Sequence, residues 1–286
     1  MGYTKLSPEV VFHFKKPSLR SPIKSSLSVK GYFISEQQLI YDTMPEVDPH
    51  YGENINNIYG KVNYTYASNR AINPFNYELE GQMGSTFAKL SVEGIWKFNY
   101  SIPKKGFLVR AYVGKFFKFS DNFIDTYRYR LANSFSGSND YLYDYTYIGR
   151  NEPEGLWSRQ TSMREGGFKF NTPLYSNQPG LNDDYLISLN LKTDVPVKWL
   201  PLRLCFDVSK YGGRRLEGAS NLLFVAGAEI FIFDYLKIYI PLIMSKEYQD
   251  YKKFILGDSF LKSITFSHNL NSINWVRLPD TFIGIE

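Results

Sequence analysis

The residues of this chain best spaced for chemistry are Asp48, His50 and Glu53, in the stretch Asp48-Pro49-His50-Tyr51-Gly52-Glu53. A carboxylate beside an imidazole could hold a metal ion or relay a proton. Pro49 and Gly52 are turn formers, however, so the stretch reads first as a solvent-exposed loop. His13 and His268, the other two histidines, lie in register within strand-like stretches, where a histidine is more often structural than catalytic. Cys205 is the one cysteine. That excludes a disulfide within the chain and a cysteine-rich zinc site. It falls on the polar face of its strand and reads as a small, inert residue. In Arg164-Glu165-Gly166-Gly167 the glycines permit a bulge or a close backbone approach, and the charges suit an ion pair. The sequence contains no HExxH motif, Ser–His–Asp set, phosphate loop or acidic metal cage. No catalytic, cofactor-binding or metal residue is therefore assigned, and no cofactor is expected.

The elements that would position any site are strands. Apolar residues recur at every second position, the period of a sheet with unlike faces. Over 75–83, Phe75, Tyr77, Leu79, Gly81 and Met83 share one face, and Asn76, Glu78, Glu80 and Gln82 the other. Over 88–100, Leu90, Val92, Trp96 and Phe98 alternate with Lys89, Ser91, Glu93 and Lys97. Leu202, Leu204, Phe206 and Val208 alternate with Arg203, Cys205, Asp207 and Ser209, and Phe224 to Ile232 carry Glu229 on their back. These patterns predict about thirteen strands, near 9–15, 25–40, 54–68, 74–83, 87–101, 107–119, 141–149, 161–170, 184–194, 200–210, 219–232, 236–245 and 260–270. Tight turns are predicted at 83–85, 103–106, 195–199 and 233–235. Long polar connections fall at 41–53, 120–140, 171–182 and 246–258, the last with room for a short helix.

The opposite face, with Ile95 an exception, is charged in both signs: Lys89, Glu93, Arg110, Arg203, Asp207 and Glu229. That suits a wet lumen with paired charges. Aromatics make up 17% of the 286 residues and gather at strand ends, as at Trp96, Phe98, Tyr100, Trp199 and Tyr235. This is where the aromatic girdles of a membrane barrel lie. The mean hydropathy of −0.31 does not oppose this reading, because only alternate residues of a barrel strand face lipid. No segment approaches the roughly 18 apolar residues of a membrane helix. A net charge of +5 without a basic run excludes an electrostatic footprint for nucleic acid. The expected fold is all-β: one domain over 1–286, an antiparallel transmembrane β-barrel of 12–14 strands with short periplasmic turns and long extracellular loops. A soluble sandwich, or a barrel with its apolar face inward, has the same alternation; strand length, girdles and unequal loops favour the membrane form.

Four stretches carry a family resemblance: 146–150 (Thr-Tyr-Ile-Gly-Arg), 162–170 (Ser-Met-Arg-Glu-Gly-Gly-Phe-Lys-Phe), 189–204 and 238–251. Together they resemble the C-terminal region of large Bacteroidota proteins whose N-terminal part is an M1-type (gluzincin) zinc metallopeptidase. The resemblance implies a barrel of the bacterial outer membrane, in contact with lipid, that anchors or serves an upstream peptidase domain. It transfers no catalytic residue, because the zinc motif has no counterpart here, and this chain alone is expected to be no enzyme. A stand-alone channel and a soluble binding module are the other readings. The first thirty residues carry no export signal, and the strand directions leave both terminal strands running inward. The expectation is therefore a fragment whose missing outward strand precedes Met1, with an open edge near 9–15.

Overall fold

The computed structural model describes residues 3–16, 18, 20–40, 50–103, 105–120, 127–132, 140–144, 155–161, 163–171, 180–213, 220–232, 236–254 and 256–268. Alternation becomes one antiparallel sheet of twelve strands. They are β1 (Tyr3–Leu6), β2 (Glu9–His13), β3 (Ile23–Ile40), β4 (His50–Ser68), β5 (Phe75–Met83) and β6 (Phe87–Asn99). There follow β7 (Gly106–Lys118), β8 (Tyr185–Asp194), β9 (Leu202–Tyr211), β10 (Leu222–Ile232), β11 (Leu236–Met244) and β12 (Thr265–His268). From β3 onward each strand pairs with the next in sequence, an up-and-down meander. β1 and β2 both pair with β3, at Phe33–Glu36 and at Ser26–Lys30, so they lie end to end along its free side. Ser7 and Pro8 interrupt that edge, where proline cannot donate to a ladder. Among the described residues no strand joins β12 to β1 or β2, so the sheet is not closed.

The connections sort by end. Those at 69–74, 100–105, 195–201 and 233–235 share one end; those at 41–49, 84–86, 119–184, 212–221 and 245–264 share the other. The nine-residue connection 14–22 also lies at the first end, but the second set holds the three longest. Its last member holds α1 (Lys246–Phe254) and the single turn α2 (Phe260–Ser263). Among the described residues no helix is long and apolar enough to cross a membrane.

Three strand expectations are corrected. The described residues of 161–170 are not a strand, because Glu165 and Gly167 take positive φ and turn the chain. This segment lies across the polar face of the sheet instead. Of 141–149, the described residues 141–144 are turn and coil, and the rest lie outside the described residues. The stretch 260–270 opens as helix α2, because Ser259 Oγ accepts from Lys262 N and caps it; among its described residues 265–268 are strand, and 269–270 lie outside them. The predicted strand 9–15 is the shorter β2, with β1 ahead of it.

The two faces have opposite environments. On one, Leu79, Val92 and Leu204 are 47%, 49% and 51% exposed, and Val113, Ile187, Leu189 and Phe206 are exposed beside them. Cross-strand pairing sets Leu79, Val92, Val113 and Ile187 in a single row. On the other face Arg110, Asn190 and Glu229 are fully buried. Residues 127–132, 140–144 and 155–171 cover that face where they are described. Phe168 and Phe170 pack on Tyr248 of α1, with ring centroids 5.9 and 5.3 Å apart. Near the long-loop end Tyr59, Phe87, Tyr127 and Tyr141 form an aromatic cluster, Tyr59 and Tyr127 sharing a hydroxyl hydrogen bond of 2.8 Å.

Candidate functional site: the ion-pair network of the covered face

Register alone assembles the first part of this site. Arg110, Asn190 and Asp207 are successive cross-strand neighbours on β7, β8 and β9. Asp194, Arg203, Glu229 and Tyr239 form a second row across β8, β9, β10 and β11. In the second row Arg203 donates to Asp194 Oδ1 at 2.7 Å and to Glu229 Oε1 at 2.9 Å. Lys192 Nζ reaches the other oxygen of Glu229 at 2.7 Å. The guanidinium of Arg203 also lies 4.2 Å from the centre of the Phe231 ring, a cation–π contact. Asp194 closes the row by accepting from Gly106 N at 2.8 Å.

The covering segment completes the first row. Arg110 Nη2 donates to Glu93 at 2.5 Å, while Nη1 donates to Asn190 Oδ1 at 2.7 Å and to the carbonyl of Glu165 at 2.8 Å. Asn190 Nδ2 donates to Gly166 O and to Asp207 Oδ1, both at 3.0 Å. Lys169, from the covering segment, pairs with Asp207. Glu165 pairs with Lys89 at 2.8 Å and accepts from Arg130 N at 2.7 Å. Every ion in this layer has a partner of opposite sign, as burial demands. These are structural pairs, and none sets a nucleophile against a base.

Gly167 shows why the backbone turns here. Its φ is +65°, and a Cβ placed on it would stand 2.5 Å from Arg110 Nη1 and 2.7 Å from Asn190 Oδ1. Gly167→Ala should therefore lower stability by about 1–3 kcal/mol through overpacking, in addition to left-handed strain. Denaturant unfolding would measure it, and an unchanged midpoint would place the covering segment elsewhere.

A cavity of about 320 Å³ remains between β4–β7 and the covering segment. Lys61, Glu78, Glu80, Glu93, Met163 and Glu165 are among the residues that line it. Glu78 and Glu93 are direct cross-strand neighbours there; Glu93 has Arg110, and Glu78 accepts from Asn63 Nδ2 at 2.8 Å.

A separate clamp ties the covering segment to the sheet's free edge. Asp144 accepts from Lys5 of β1 at 2.7 Å and from the hydroxyl of Tyr32 of β3 at 2.5 Å, with Lys30 at 3.4 Å. Burial alone would raise the Asp144 pKa, but the hydrogen bonds from Lys5 and Tyr32 and the charges of Lys5 and Lys30 outweigh it and lower it. A carboxylate lowered on folding adds stability above its unfolded pKa of about 3.9, and that contribution is lost as pH falls through the lowered value. Asp144→Asn should therefore be less stable than wild type at pH 7, and the gap should close on acidification below about pH 4. Thermal unfolding across pH measures this. A gap independent of pH would assign the loss to shape rather than charge.

The residues singled out in the sequence are not brought together. Asp48 and Pro49 lie outside the described residues; His50 opens β4 opposite Ile40, and Glu53 is exposed. His13 is exposed on β2, while His268 sits on β12 beside Trp157 and Phe266. Cys205 is buried on the covered face, 3.9 Å from Glu229. Glu165 has its ion pair, with Lys89 from another element, and the glycine pair does make a close backbone approach. Among the described residues no group of three or more His, Cys, Asp or Glu side chains could hold a metal. Sequence alternation puts Asn190 and Lys192 on the polar face without naming their partners, and sequence reasoning missed Lys169. For Lys169 there was no signal, since its segment was read as a strand.

Ser209 is buried on the covered face and hydrogen-bonded to Ser188. No protein-family model matches the chain, and no curated protein matches it significantly.

Proposed function

We propose that this chain is the lipid-facing wall of a bacterial outer-membrane β-barrel and serves as an anchor for a metallopeptidase-like domain upstream of it. The observation that supports the membrane part is the inversion of the sheet. Leucine, valine and phenylalanine are bare along whole strands, while Arg110, Asp207 and Glu229 are buried. Exposed apolar patches beyond a few hundred Å² mark a membrane or a partner in soluble proteins, and a continuous band over successive strands suits lipid. Strands of nine to thirteen residues from β5 to β11 fit the length a tilted membrane strand requires. The gathering of the three longest connections at one end agrees with extracellular loops opposite short periplasmic turns.

Occupation of the polar face favours an anchor over an open channel. Residues 127–132, 140–144 and 155–171 fill the side on which a pore would run, and their ion pairs hold them there. The peptidase association and the Bacteroidota origin rest on the resemblance of 146–150, 162–170, 189–204 and 238–251 alone. A channel remains the second reading, favoured by the charged cavity beside Glu78 and Glu93.

The test is refolding of the 286-residue chain with phospholipid vesicles. Flotation with the vesicles, and faster gel migration before boiling than after, are expected. Recovery as a soluble species that ignores vesicles would sink the membrane reading. Single-channel steps in a planar bilayer would replace the anchor with the channel. An in-frame zinc-peptidase domain upstream in the coding sequence would decide for the anchor.

A further inference from the structure

We propose that the cavity between β4–β7 and the covering segment is a binding site for a small organic cation, an alkylammonium, with Glu78 as its counter-ion. Two unlike surfaces wall it. Lys61, Glu78, Glu80 and Glu93 come from the sheet, and Met163 and Glu165 from the covering segment. Its volume of about 320 Å³ is that of about ten waters, enough for a compact ligand.

The wall is out of balance in charge. Three of its four carboxylates have a cation of their own. Glu80 pairs with Lys61 at 2.5 Å, Glu165 with Lys89 at 2.8 Å and Glu93 with Arg110 at 2.5 Å. Arg164, the remaining cation of the wall, is itself engaged. Glu78 is different. It is half-buried, and its hydrogen bond at 2.8 Å comes from Asn63 Nδ2, a neutral amide. Among the described residues no lysine or arginine stands at ion-pair distance from it. Register adds to the imbalance, because Glu78 lies directly opposite Glu93 across β5 and β6, and like charges so placed repel. A carboxylate partly withdrawn from water and set beside its like calls for a cation.

The same corner is out of balance in hydrogen bonds. Asn63 turns its amide nitrogen to Glu78, and its amide oxygen Oδ1 is buried with no hydrogen-bond partner. A buried oxygen without a donor costs free energy. One place thus holds a carboxylate without a cation and a carbonyl without a donor. An ammonium answers both, because it carries the charge and three N–H donors. A metal ion suits the place less well. Among the described residues no three acidic, histidine or cysteine side chains converge to hold one. Met163 and Tyr112, which also line the cavity, favour a cation with an apolar body.

This site depends on the sheet and its covering segment, not on the membrane around them. The full chain is folded in buffer or in detergent micelles, whichever the flotation experiment selects, and titrated by calorimetry with phenethylammonium. Phenethyl alcohol has the same body without the charge, and magnesium has charge without the body. Saturable binding of the ammonium at one site per chain is expected. Glu78→Gln keeps the shape and the hydrogen bond from Asn63, and should weaken that binding about ten- to a hundredfold. Glu53→Gln removes an exposed carboxylate of β4 outside the cavity wall, and should bind as the wild type does. Met163→Trp fills the cavity from the covering side and should abolish binding with Glu78 intact. Equal affinity for the alcohol would leave an apolar hollow without a charge site. Binding of neither would leave a water-filled gap, and magnesium held through Glu78 in place of the ammonium would make a metal site. Each of these overturns the proposal, as does an unchanged affinity in Glu78→Gln. A chain that ignores vesicles but binds the cation loses the membrane reading and keeps this site; one that floats without binding does the reverse.

Discussion

Val92→Arg is expected to cost about 2–4 kcal/mol when the chain unfolds from a bilayer, and almost nothing if its sheet faces water. Val92 lies mid-strand on β6 and half exposed, in the row with Leu79, Val113 and Ile187. Its side chain is not packed in a core, so arginine there creates no cavity and no clash. In water such a surface change stays within about 0.5 kcal/mol of wild type. In lipid the guanidinium must leave water or drag it inward, and the penalty is greatest near the bilayer midplane. Leu222, also on this face but at the long-loop end of β10, supplies the comparison. Leu222→Arg should cost about 0–1 kcal/mol, because near the interface the charge can snorkel. Reversible unfolding of both variants in vesicles gives the two values. Equal, small costs at both positions would mean that the bare face has no lipid against it.

How much of this was legible before the structure depends on the period. Strands β5 to β11 follow alternation closely: 87–101 and 107–119 were expected, and Phe87–Asn99 and Gly106–Lys118 are found. A side chain on the wrong face there would put a charge among apolar neighbours, so pattern and structure cannot diverge far. The same signal misleads at 161–170. Phe168 and Phe170 alternate as a strand would, yet they bury themselves against Tyr248 while Glu165 and Gly167 turn the backbone. Two glycines and two aromatics satisfy either arrangement, and only the tertiary partner decides. Membership of the polar face was legible for Arg110, Arg203, Asp207 and Glu229. The partners were not, because Lys89–Glu165 and Lys169–Asp207 join elements far apart in sequence, through a covering segment whose path no periodicity describes.

The polar face is thus less a wet lumen than a packed layer, and Glu229 is its most demanding member. In the sequence it interrupts the most apolar run of the chain; in the fold it is 0% exposed between Lys192 and Arg203. Glu229→Gln keeps the shape and removes the charge. The buried Lys192 and the half-buried Arg203 then share a neutral amide, and Arg203 retains only Asp194 as a carboxylate partner among the described residues. Removing one side of a buried ion set costs about 3–5 kcal/mol, most of it from the charges left behind. That logic fixes the companion experiment. Lys192→Met added to Glu229→Gln removes one of those stranded charges, so the double variant should recover part of the loss instead of adding to it. Chemical denaturation of the two single variants and the double variant, read as a double-mutant cycle, measures the coupling. Additive losses, or a Glu229→Gln cost below about 1 kcal/mol, would mean that water reaches the carboxylate and that the covering segment does not seal the face.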